Sequence, residues 1–212
     1  MLRRLLVRLP FALLILAMLV ALLPGALFST FNAFSSALNR FSGYYGETRI
    51  APLFTREVDY WADSIVRWAD TYGVDPNLVA TVMQIESCGH AGIASNAGAQ
   101  GLFQVMPFHF DEGEVYTDPE TNAARGVSYI RECLGWADGD PNLAMACYNG
   151  GPSMLNSTYI DWPDQTQRYY DWGSTIYADA QAGRSSSDSL QSWLDAGGDR
   201  LCAAADIELG LR

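Results

Sequence analysis

Glu86 ends an apolar segment just before a glycine-rich run, and a lone carboxyl in that setting can do proton chemistry. Val79, Val82, Met83 and Glu86 fall at the three- and four-residue spacings that share one helical face. The carboxyl therefore points inward or into a cleft. Desolvation there favours the neutral acid, and a neutral acid near pH 7 can donate a proton. The plainer reading is a helix-end glutamate bonded to the next loop, because structural pairs also perturb carboxyl groups. Beyond it, Gly98 and Gly101 flank Ala99 and Gln100, a turn whose backbone can approach a ligand closely and wall a cleft. Gln104 adds an amide with donor and acceptor capacity, while Leu102, Phe103, Val105 and Met106 anchor the segment in apolar packing. Asp111, Glu112 and Glu114 follow, either as a second acid that positions water or as an acidic surface loop. His90 and His109 have no metal-ligand spacing with each other or with the cysteines, so no metal and no cofactor is expected. The chain contains no lysine, which removes a phosphate-binding P-loop.

The elements that must hold these groups read as helices. Asp-Pro occurs at Asp75-Pro76, Asp118-Pro119 and Asp140-Pro141, each a cap followed by a first helical turn. The Asp75 helix carries Glu86 and is expected to stop at Gly89, and the Asp140 helix to end at Asn149-Gly150-Gly151-Pro152. A first helix is expected over residues 56 to 72, with Val58, Trp61, Ile65, Trp68 and Tyr72 inward and Gly73 as its stop. Ala123, Val127, Ile130 and Leu134 give the Asp118 helix a buried face. Strand signals are weak, so the fold is expected to be mostly α, with a small β excursion near the glycine turn. The divisions are residues 1–28, 29–55 as a connector, one domain over 56–175, and a C-terminal extension over 176–212. From Gly183 that extension runs through a polar serine stretch and regains a short helix around residues 190 to 196, with Trp193 and Cys202 packing it back on the domain.

Arg3, Arg4 and Arg8 precede an apolar run from Leu9 to Phe28, long enough to cross a bilayer as a helix. The arginines place its start in the cytoplasm and the rest outside, as a single-pass membrane protein if the segment is retained or a secreted one if it is cleaved. The 13 basic residues against 24 acidic ones give a net charge of −11. No basic stripe is available to neutralise phosphates, so nucleic acid is not an expected partner. Four cysteines suit an oxidising space and two disulfides. Three pairings are open. If residues near 139 turn one helix back on the next, Cys133 meets Cys147 and leaves Cys88 with Cys202.

Four ordered blocks carry a resemblance to a known family. They are Ile85-Glu86-Ser87, then Ser95 with the run from Gly98 to Pro107, then Asp118-Pro119-Glu120-Thr121-Asn122 with Gly126 and Tyr129, then Ala146-Cys147-Tyr148-Asn149-Gly150-Gly151. Over about residues 75 to 149 the chain resembles the soluble lytic transglycosylase domain, a lysozyme-like family that cleaves bacterial peptidoglycan. Phe103 stands where the family has methionine, and Cys147 and Gly150 are further departures. Gln165-Thr166 with Tyr169 is similar to the family's Glu-Thr-x-x-Tyr segment, but Gln165 replaces the glutamate. The resemblance implies a lysozyme-like fold with Glu86 as single acid and base. It implies Ser87, Ser95, Gln104, Tyr148, Asn149 and Tyr169 as residues contacting the glycan strand. The implied reaction breaks the bond between N-acetylmuramic acid and N-acetylglucosamine without water and leaves 1,6-anhydromuramoyl ends. The alternatives are a hydrolytic lysozyme of the same fold and a non-catalytic peptidoglycan-binding or scaffolding module.

Overall fold

Each Asp-Pro pair opens a helix by the same local chemistry. Asp75 Oδ1 accepts from the backbone N of Asn77 at 2.8 Å, Asp118 Oδ2 from Thr121 N at 2.9 Å, and Asp140 Oδ1 from Asn142 N at 2.8 Å. Each carboxylate satisfies an otherwise orphaned amide, and the proline that follows has none to offer. The computed structural model describes residues 49 to 211. In chain order its helices are α1 (Arg56–Asp59), α2 (Ala62–Tyr72), α3 (Pro76–Glu86), α4 (Pro119–Trp136), α5 (Pro141–Gly150), α6 (Asp164–Gln181), α7 (Asp188–Trp193) and α8 (Asp199–Leu209).

The helix that carries Glu86 is the centre of the packing. Every residue of α3 from Leu78 to Ile85 is buried, and α2 and α6 both lie against it. Helix α6 also packs on α5, and α5 on α4. The apolar face of α4 is buried at Ala123, Val127 and Ile130, with Leu134 only partly covered. Among the described residues there is no strand ladder. The β excursion is two isolated bridges, Ala94 with Gln100 and Gln100 with Val105.

Two expectations are corrected. Residues 56 to 72 are not one helix, because the chain breaks between α1 and α2 at Tyr60 and Trp61. The Trp61 indole donates to Gly89 O at 2.9 Å and lies against Gly89, where a Cβ would sit 2.8 Å from Glu57 O. The tertiary contact between Trp61 and the turn after Glu86 thus overrides local helical preference. That turn stops α3 earlier than Gly89, through Ser87 as cap and Cys88 at φ 53°. The second correction concerns the C-terminal segment. Instead of one short helix, α7 runs through a π turn (Leu194–Gly198) into α8, which reaches Leu209. Close packing of the Trp193 ring on Gly198, where a Cβ would lie 2.5 Å from Trp193 Cε3, keeps that junction glycine.

Two disulfides staple the fold, Cys88–Cys202 and Cys133–Cys147. The first ties α8 to the turn after Glu86; the second ties α4 to α5. The expected membrane segment over residues 1–28 and most of the 29–55 connector lie outside the described residues. Within them, no helix is long and apolar enough to cross a membrane.

Candidate active site

Glu86 is the last residue of α3 and is half-buried. Burial pushes its carboxyl up to about 8, against a smaller downward pull from the Tyr169 hydroxyl. Tyr148 from α5 and Tyr169 from α6 flank it. Burial raises both phenols well above their ordinary value, and the Glu86 charge is the next largest cause for each. Three helices therefore bring one carboxyl and two hydroxyls together, and a carboxyl held neutral near pH 7 is suited to general-acid work.

The wall of the site is the glycine turn, and a single side chain holds it. Asn122, fully buried on α4, accepts from Phe103 N at 2.9 Å and donates to Gln100 O and Tyr116 O at 2.8 Å each. Gly101 must be glycine there: its φ is 73°, and a Cβ would lie 2.5 Å from Asn122 Nδ2. Phe103 inserts against Gly126, where a Cβ would meet the Phe103 Cβ at 2.4 Å. Tyr148 then donates to Phe103 O at 2.7 Å, so the tyrosine beside Glu86 is fixed to the wall opposite.

The remaining expected site residues divide. Gln104 and Tyr148 line a small cleft of about 50 Å³ together with Val105, Met106, His109 and Tyr129. The Gln104 amide nitrogen donates to Gly101 O at 3.1 Å, which holds its backbone at φ 46°. Asn149 accepts from Thr166 at 2.9 Å; Gly150 beside it leaves room for Met154 and Thr166, each within 2.8 Å of where a Cβ would stand. Ser95 accepts from Ala99 N at 3.0 Å and so closes the glycine turn. Ser87 is turned away from Glu86 into the fold. It is fully buried, donates to Leu102 O at 2.7 Å and accepts from Gly89 N at 3.1 Å, a locking role between α3 and the wall.

Two of the three candidate second acids, Asp111 and Glu114, are committed elsewhere, and the third, Glu112, is exposed. Arg125 donates to Glu114 from both Nε (2.9 Å) and Nη2 (2.7 Å) and also pairs with Asp111. Hydrogen bonds from Arg125 keep Glu114 below the ordinary carboxyl value. Among the described residues, the metal-type cluster is Glu57, Cys88 and Cys202, and its two sulfurs are bonded to each other. A larger polar recess, lined by Asp179, Arg184 and Asp188 among others, shares no residue with the Glu86 site.

Asn122, His109 and Thr166 were not among the expected site residues. Asn122 is visible in sequence only as part of the Asp118 helix start, and its three bonds to loop backbone are long-range facts. Thr166 is visible only within the Gln165-Thr166 segment, and His109 carries no local signal of its neighbours.

The helical domain thus sets one raised carboxyl beside a buried and a partly buried tyrosine, walled by a glycine turn. Residues 63–169, just over half of the chain, match the family model described as the transglycosylase SLT domain, and the chain belongs to that family. A transglycosylase of Enterobacteria phage PRD1 is 36% identical over 111 residues, which are 51% of this chain and 40% of the phage protein. The membrane-bound lytic murein transglycosylase E of Buchnera aphidicola subsp. Acyrthosiphon pisum (strain APS) is 33% identical over 84 residues, 33% of this chain and 38% of that protein. The chain thus spans less than half the length of these curated relatives. Among solved structures, an inactive mutant of the lytic transglycosylase Slt from Pseudomonas aeruginosa aligns with a TM-score of 0.48 and 21% identity, covering 57% of this chain and 24% of that one.

Proposed function

We propose that this chain is a peptidoglycan lytic transglycosylase of lysozyme-like fold, with Glu86 as its one acid and base. The proton moves first from Glu86 to the glycosidic oxygen as the bond from the muramic anomeric carbon to that oxygen breaks. The muramic 6-hydroxyl then attacks the same carbon and returns its proton to the Glu86 carboxylate. No water is consumed and the enzyme ends in its starting protonation state. Tyr148 orients the acid and the substrate across the cleft, with Gln104 and Asn149 as further polar contacts to the sugars. The arginine-flanked apolar run from Leu9 to Phe28 holds the enzyme at the membrane with the domain outside, where the wall lies. The membrane-bound relative is in keeping with that placement.

The observation that carries the reading is the Glu86 carboxyl, raised to about 8, while two of the three candidate second acids, Asp111 and Glu114, are spent on Arg125 and Glu112 is exposed. A hydrolytic lysozyme needs a second carboxylate free to position water. Mass spectrometry of muropeptides released from purified sacculi tests the proposal: anhydromuramoyl ends that vanish in Glu86→Gln support it. Reducing muramic ends would instead mean hydrolysis, and no release from the folded protein would leave a binding module.

A further inference from the structure

A chain of rings leads out of the cleft to the surface. Tyr148 is 5.5 Å from Tyr129 between ring centroids, and Tyr129 is 4.8 Å from His109 and 6.2 Å from Trp136; His109 in turn is 4.5 Å from Phe108. The inner rings, Tyr148, Tyr129 and His109, line the cleft. The outer two are left open to solvent, Phe108 at 76% and Trp136 at 51% exposure. An indole and a phenyl ring so exposed bury little apolar area in the fold and contribute little to it. Their positions are nonetheless fixed. Trp136 ends α4, the helix bound to the Tyr148 helix by Cys133–Cys147, and Phe108 lies in a short 3-10 turn (Pro107–His109) continuous with the glycine wall.

We propose that Phe108 and Trp136 form an outer sugar-stacking subsite, which extends the cleft by seating N-acetylated pyranose rings of a glycan strand on the exposed aromatic faces. This rests on the reading of the Glu86 site as a glycan-cleaving one. Pyranose rings present flat apolar C–H faces that fit an aromatic ring, and the acetamido and hydroxyl groups at their edges remain solvated. The protein is strongly acidic, and long-range charge gives it no help in gathering an acidic wall, so contacts of this neutral kind must supply the grip. The open end of the cleft is also where a strand longer than the inner site would have to pass, since about 50 Å³ holds only part of one sugar.

The test uses the full chain carrying Glu86→Gln, titrated calorimetrically with N-acetylglucosamine oligosaccharides of three and six units. The hexamer is expected to bind more tightly than the trimer. Trp136→Ala and Phe108→Ala should each remove about three- to tenfold of the hexamer affinity and leave the trimer unchanged, with Trp136→Phe restoring part of it. Unchanged circular dichroism and melting temperature in these variants keep the comparison free of folding effects. Equal affinity for both lengths, or equal losses on both, would overturn the subsite and leave the functional reading standing. A Trp136 dependence seen on peptide-bearing muropeptides and absent on the bare oligosaccharides would give the rings to the stem peptide and overturn the sugar assignment. If neither length binds and the unmutated chain releases nothing from sacculi, both readings fall.

Discussion

Tyr169 sets a buried hydroxyl beside the Glu86 carboxyl, close enough to draw that carboxyl down, yet makes no hydrogen bond of ordinary length among the described residues. Their effects on each other differ in sense: the Glu86 charge hinders ionisation of the phenol, while the phenol hydroxyl favours the carboxylate that burial disfavours.

The pH behaviour follows from that pair. Glu86 is expected to lose its proton at about 8, so release from sacculi should fall above that pH, about tenfold per unit, as the acid form is depleted. Tyr169→Phe removes the hydroxyl that draws the carboxyl down, and the falling limb should move to higher pH. A limb that stays in place, or moves down, would mean that Glu86 does not set it.

Stability carries the same signature with a definite sign. The native carboxyl keeps its proton up to about 8, whereas an unfolded glutamic acid loses it near 4.5. The native state binds more protons across that window, so stability falls as pH rises from 4.5 to 8. Glu86→Gln should therefore stabilise the protein at pH 8 by on the order of a few kcal/mol and make little difference at pH 4. Denaturant midpoints at the two values measure it, and equal shifts at both would contradict a raised carboxyl.

Asn122→Ala should cost about 3 kcal/mol, because it strands a buried Phe103 amide and two carbonyls that its side chain now satisfies. Activity should fall with it even at temperatures where the variant is fully folded, since the glycine wall and the Tyr148 anchor at Phe103 O loosen together. Full activity in the folded variant would show that the wall is held by other means.

Gly126→Ala inserts a methyl group 2.4 Å from the Phe103 Cβ, too close for side-chain rotation to relieve. A loss of roughly 1–3 kcal/mol is expected from overpacking, although alanine is otherwise the better helix residue. Thermal unfolding decides between the two effects.

Glu114→Gln and Asp111→Asn should leave sacculus turnover within about twofold of the parent, as both acids belong to the Arg125 cluster and not to a water site. A loss of about a hundredfold, the usual scale for a missing acid or base, would restore the hydrolytic reading.

How much was legible in the sequence depends on the range of the forces involved. The Asp75, Asp118 and Asp140 caps act on amides two or three residues away, so spacing alone locates three helix starts and puts Glu86 at the end of the first. Trp61 breaks the expected opening helix for a reason 28 residues distant, its bond to Gly89 O, and no window around residue 61 contains it. Ser87 adjoins Glu86 in sequence yet turns into the fold, because it leaves helical geometry as the cap of α3 and its hydroxyl bonds Leu102 O, 15 residues away. The length of α8 was hidden because its buried residues, Cys202, Ala205 and Asp206, include no large apolar side chain. Its ties include a disulfide and an ion pair between Asp206 and Arg56, and neither leaves a periodic trace.

Helix α8 lies outside residues 63–169, yet it fastens the turn that follows the acid. Cys202 bonds Cys88, and Glu208 accepts from the amides of Ala91 (3.1 Å) and Gly92 (3.0 Å) while meeting His90 Nε2 at 2.8 Å. During synthesis these fasteners emerge from the ribosome only after the whole family-matched stretch, and one of them needs an oxidant. A nascent or still-reduced chain consequently holds Glu86 on a turn that lacks these C-terminal ties, so the order of translation and oxidation decides when the site is complete.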